Sequence, residues 1–122
     1  MDIDLLWRRH RTTEVELGTS VRLPSGTRLV AEGAPGSEFF VVERGHVAVH
    51  RRGAALALLG PGEHFGEIAL LDPRSRRTAS VTAAADLQVR VFDRREFASL
   101  LRQDPARANE ILRQAVERLL AA

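Results

Sequence analysis

Between residues 13 and 92, short apolar runs are cut by turn residues about every ten positions, the spacing of an all-β domain. Val21 to Leu23 runs into Pro24-Ser25-Gly26, Thr27 to Ala31 ends near Gly33, and Ala34-Pro35-Gly36 turns the chain again. Phe39-Phe40-Val41-Val42 is apolar throughout, as in a strand covered on both faces. Val47, Val49 and Arg51 alternate with Ala48, His50 and Arg52 as far as Gly53. Ala55 to Leu59 follows as a hairpin partner, closed by Gly60-Pro61-Gly62, and Val81 to Phe92 alternates again with a break near Asp86. Many short strands of this kind predict a sandwich, jelly roll or barrel.

From Asp93 the period lengthens to that of a helix. Asp93 and Glu96 have the spacing of a capping box, and Phe97, Leu100 and Leu101 follow at helical intervals. Asp104-Pro105 opens a second helix, since Asp caps well and Pro is tolerated at the first position. Ile111, Leu112, Ala115, Val116, Leu119 and Leu120 mark one apolar stripe along it. At the other end, residues 1–12 are polar around Leu5, Leu6 and Trp7 and are expected to form a short helical segment that docks Trp7 on the domain. The expected organisation is this segment, a β domain with its first C-terminal helix over residues 13–103, and a last helix over residues 104–122.

Composition narrows the field. At 122 residues the chain is about one domain, and with no cysteine it has no disulfide scaffold, thiol nucleophile or cysteine-ligated zinc. No run approaches the ~20 apolar residues of a membrane span, and residues 1–11 lack the apolar core of a signal peptide, so a cytoplasmic protein is expected. All 18 basic side chains besides histidine are arginine, yet the net charge is only +2 and acids are interleaved nearly throughout. A nucleic-acid-binding face needs clustered positive charge, so none is expected. Arg51-Arg52 and Arg94-Arg95 read as solvated faces.

The chemistry concentrates between Phe65 and Val81. Gly66 precedes a short helical run, where a glycine lets a ligand approach the backbone closely. The first amides of that run have no internal partners and point at an incoming anion. Asp72-Pro73 ends the run and opens a loop that can return Arg77 over the same amides, where a guanidinium offers a permanent two-pronged clamp for phosphate. Glu67 would repel a phosphate it touched but accepts hydrogen bonds from a sugar hydroxyl one group away. The set suits a phosphate joined to a ribose.

Phe65-Gly66-Glu67-Ile68-Ala69-Leu70, the loop, and Arg77-Thr78-Ala79 resemble the phosphate-binding cassette of the cyclic nucleotide-binding domain family. That family includes bacterial catabolite activators, regulatory subunits of the cAMP-dependent kinase and cyclic-nucleotide-gated channels. The resemblance extends through Pro24-Ser25-Gly26-Thr27, Glu32-Gly33, Pro35-Gly36, Gly45 and Leu59-Gly60-Pro61-Gly62, over roughly residues 19–103. It implies a double-stranded β-helix, or jelly roll, with a short N-terminal helix and two C-terminal helices. It also implies a non-enzymatic regulatory domain whose ligand is cAMP or cGMP and which needs no cofactor. Glu67 would take the ribose 2′-hydroxyl and Arg77 the cyclic phosphate, with the amides near Gly66, Ile68 and Ala69 completing the phosphate site. Thr78 would lie beside phosphate and base, followed by Ala79; a threonine there resembles that of cGMP-binding members and is also compatible with cAMP. Leu70 and Val81 would be apolar walls. The last helix resembles the family's lid, with Arg118 a candidate to stack on the purine and Ile111 and Val116 as apolar alternatives.

The chain stops at Ala122, without the helix-turn-helix of a catabolite activator, so it is expected to be a stand-alone binding domain or a regulatory piece of something larger. Its C-terminal helix would address an effector domain or a second copy, and its end resembles the tail of prokaryotic cyclic-nucleotide-gated potassium channels. Two other readings compete: a degenerate roll that binds another small ligand or a partner protein, and a cupin-like metal enzyme. His10, His46, His50 and His64 invite the latter, but the His-x-His pair of such sites is missing and no metal is expected. Ser75 and Ser80 lie in no nucleophile motif, so no catalytic residue is assigned.

Overall fold

The computed structural model describes residues 17–121; the N-terminal segment with Trp7 and His10 lies outside them. Eight strands come in the order β1 (Thr19–Leu23), β2 (Arg28–Val30), β3 (Phe39–Arg44), β4 (Val47–Arg51), β5 (Ala54–Leu59), β6 (His64–Phe65), β7 (Ser80–Ala83) and β8 (Leu87–Phe92). A five-residue helix α1 (Glu67–Leu71) interrupts them, and α2 (Arg94–Gln103) and α3 (Pro105–Leu120) follow. All strand pairs are antiparallel, in two four-stranded sheets ordered β1-β8-β3-β6 and β2-β7-β4-β5. Early strands pair with late ones, as Thr19 with Val91 and Arg28 with Thr82, so the chain rolls up on itself as a jelly roll.

The apolar run of β3 is explained by what covers each face. Phe40 and Val42 point between the sheets, where they join Val47, Leu59, Phe65, Val81 and Val89 in the inner core. Phe40 stacks on Phe65, with centroids 4.7 Å apart and planes 9° from parallel. Phe39 and Val41 point outward, into a second cluster with Leu17, Leu70, Phe92, Phe97, Leu100 and Ile111. That cluster fastens the helices to the roll. Both caps form as the sequence predicts. Asp93 accepts from the Glu96 amide while Glu96 accepts from the Asp93 amide, and Asp104 accepts from the Arg107 amide behind Pro105.

The stripe on α3 does not act as one surface. Ile111 and Ala115 are buried, whereas Leu112, Val116, Leu119 and Leu120 are exposed, because α3 docks by one flank only. Strand β6 is absent from the sequence reading. Two residues are too few to show a period, and His64-Phe65 is held by pairing to Val41 and Phe40.

Candidate functional site

A cavity of about 320 Å³ opens between the second sheet, the start of α1 and the end of α3. Its volume lies at the low end of the ~300–1,000 Å³ range of small-molecule sites. Val30, Val49, Leu59 and Val81 form an apolar floor, Gly66 to Ala69 one wall, Arg77 to Ala79 another, and Arg118 of α3 and Ala121 just past its end complete the lining. Of the residues singled out from sequence, Gly66, Glu67, Ile68, Ala69, Arg77, Thr78, Ala79, Val81 and Arg118 all line it. Leu70 does not line it: α1 carries this side chain away from the opening and into the outer cluster beside Phe39 and Ile111.

Arg77 is held by backbone on every side. Its amide donates to the Ala34 carbonyl, and its own carbonyl accepts from the Gly33 amide. The guanidinium donates through Nη1 to the Gly66 carbonyl at 3.1 Å and through Nη2 to the Glu38 carbonyl at 3.0 Å. Two glycines make this possible. A Cβ on Gly36 would lie 1.9 Å from Arg77 Nε, and one on Gly66 would lie 2.9 Å from Nη1. Gly66 also has φ +93°, a left-handed conformation that side chains resist, and no side chain caps α1 behind it. Burial pushes the Arg77 pKa down while Glu38 and Glu67 pull it up; a guanidinium stays cationic throughout.

Glu67 is 1% exposed, an unusual place for a carboxylate. Its Oε1 accepts from Arg118 Nη1 at 2.5 Å, and Arg118 Nη2 donates to the His64 carbonyl at 2.8 Å. Glu67 Oε2 has no partner among the described residues, leaving a buried acceptor open for a donor. Arg118, offered from sequence as a stacking group, bridges α3 to α1 and β6 in this structure. The contact spans 51 positions, and helical periodicity carries no trace of it.

Sequence put Arg51 in solvent and gave His64 no place at all. Arg51, read as solvated, lines the cavity and donates from Nε to the Thr78 carbonyl at 2.8 Å. The signal was its even spacing from Val47 and Val49, which puts all three on one face of β4. His64 is buried to 1% exposure beside Phe39, with ring centroids 5.4 Å apart, and its Nε2 has no partner among the described residues. Burial first, then the cations Arg118 and Arg107, lower its pKa from 6.5 to about 4. Neutral His64 therefore sits in the folded protein while the unfolded chain protonates. Stability is full above pH 6.5 and falls as the pH drops toward 4. The loss across that window is about 3 kcal/mol. Urea midpoints between pH 7.5 and 4.5 should fall less steeply in His64→Leu than in the parent; equal slopes would remove His64 from the account. Among the described residues no three His, Asp or Glu side chains gather as a metal site.

The cyclic nucleotide-binding domain model matches residues 20–104. A CRP-like cAMP-activated global transcriptional regulator of Mycobacterium tuberculosis is 31% identical over 104 residues, covering 81% of this chain and 46% of that protein. Glutaminase 2 of Bradyrhizobium diazoefficiens is 37% identical over 115 residues, covering 88% of this chain but 18% of that protein. The chain thus spans less than half the length of these curated relatives. A solved structure described as "A cyclic-GMP-dependent signalling pathway regulates bacterial phytopathogenesis" superposes with a TM-score of 0.71 and 29% identity, covering 99% of this chain and 95% of its own. With the jelly roll, the buried Glu67 and Arg77 and the match over most of its length, the chain belongs to the cyclic nucleotide-binding domain family.

Proposed function

We propose that the chain is a non-enzymatic regulatory domain that binds cAMP or cGMP in this cavity and signals by moving α3. The observation that carries the reading is the pairing of a buried cation and a buried carboxylate on one cavity, with Glu67 Oε2 left open. The cyclic phosphate lies against Arg77 and the first amides of α1. The ribose 2′-hydroxyl donates to Glu67. The base extends over Val49 and Val81, with Thr78 at its edge and α3 above it.

Residues 13–103 then form the receiving unit and residues 104–122 the lid. Arg118 makes the lid sensitive to occupancy, because its partner Glu67 is also the ribose acceptor. A ligand shifts α3 by no more than its differential affinity for the two helix positions. An effector domain or a second copy reads that position, and the exposed Leu112, Val116, Leu119 and Leu120 supply the surface. No helix among the described residues is long and apolar enough to cross a membrane. The domain acts in the cytoplasm in this reading.

Calorimetric titration with cAMP and with cGMP in one buffer tests it. Micromolar or tighter binding of either is expected, with slower hydrogen exchange of the α3 amides on saturation. Absence of binding by both would return the fold to a degenerate role with another ligand.

A further inference from the structure

With phosphate at Arg77 and ribose at Glu67, the base is left with the rest of the cavity lining. Val49, Leu56 and Ala57 offer it no side-chain hydrogen bond, and Arg51 and Thr78 do. Arg51 is anchored there by one bond, from Nε to the Thr78 carbonyl. Among the described residues its Nη1 and Nη2 have no acceptor. A guanidinium carries five N–H donors and no acceptor. Four of them therefore remain to meet whatever edge the base presents.

We propose that Arg51 reads the base and selects guanine over adenine. The inference rests on the cyclic nucleotide reading above and deepens it. Guanine presents two adjacent acceptors, O6 and N7, which match the paired donors of an arginine. Adenine presents N7 beside the N6 amino group, so a donor would face a donor. Apart from Glu67, the Thr78 hydroxyl is the one side-chain acceptor of the lining, so adenine's amino group has a single hydroxyl to meet beside Arg51 where guanine meets a pair of donors. The backbone anchor at Thr78 holds the guanidinium in place before ligand arrives, which limits the ordering lost on binding.

The test is calorimetry on the full chain with cGMP, cAMP and cyclic IMP, for the parent and Arg51→Met. Cyclic IMP keeps O6 and N7 but lacks the 2-amino group. The parent should bind cGMP and cyclic IMP alike, and both roughly tenfold more tightly than cAMP. Arg51→Met, which keeps the stem and loses the donors, should lose that tenfold for cGMP and cyclic IMP while cAMP stays within about twofold. Equal parent affinities, a preference for cAMP, or an equal loss for all three in the variant would overturn the proposal. So would cyclic IMP behaving as cAMP does, which would place the selection at the 2-amino group. These outcomes leave cyclic nucleotide binding standing; only a parent that binds none of the three removes that reading as well.

Discussion

Arg77→Ala is expected to weaken binding of the preferred cyclic nucleotide by ~2–5 kcal/mol, roughly 30- to 4,000-fold. The magnitude follows from what remains. Arg77 is 8% exposed, so a phosphate seated beside it has exchanged much of its water for one guanidinium. Removing that cation leaves a desolvated anion facing the amides of α1 alone. Arg77→Lys restores the charge but not the fork, because an ammonium cannot span the Gly66 and Glu38 carbonyls while also presenting paired donors. Its affinity should fall between the two. Calorimetry reads the affinities, and circular dichroism at the same temperature confirms that each variant is folded. Binding by Arg77→Ala as tight as the parent's would place the phosphate elsewhere.

Phe39→Ala should destabilise the domain by ~3–5 kcal/mol, a large share of the ~5–15 kcal/mol by which domains of this size are stable. Phe39 is fully buried and its ring meets three others: Phe97 at 4.8 Å, His64 at 5.4 Å and Phe92 at 5.6 Å. Those partners come from α2, β6 and β8, so one side chain joins the helices to the first sheet. Urea unfolding should show a lower midpoint, with α2 and α3 losing amide protection before the strands of the roll. A loss below ~1 kcal/mol would mean that the cluster collapses around the deletion and that Phe39 is not its centre.

Residues close in sequence or tied by a period were legible; those joined only by the fold were not. β3 and β4 read as strands because burial on one or both faces leaves a local pattern, and the caps at Asp93 and Asp104 are spelled within three residues. The cassette was legible as an ordered motif, which is how a five-residue helix with no periodicity of its own was found. Gly36 against Arg77, Arg118 against Glu67 and Phe39 against His64 lie far apart in the chain and leave no such mark. Arg51 shows the converse. Its alternation with Val49 was visible, but charge outweighed position in the reading and sent it to solvent. Leu70 was assigned a role by its place in the motif, and the docking of α1 turned it toward α3.

The pairing of the first strand with the last has a consequence for how the chain is made. Thr19 finds its partner only when Val91 has left the ribosome, and Val21 waits for Val89. At ~5–20 residues per second that delay is roughly 4–14 s, during which β1 has no sheet to join. The roll therefore closes after nearly all of it has been synthesised, and a nascent chain halted within the cassette lacks β7 and β8 and so holds only the β3–β6 and β4–β5 pairs, with open edges. Newly made protein is most exposed to misassociation in that interval, and the helices that follow β8 are the last parts to cover it.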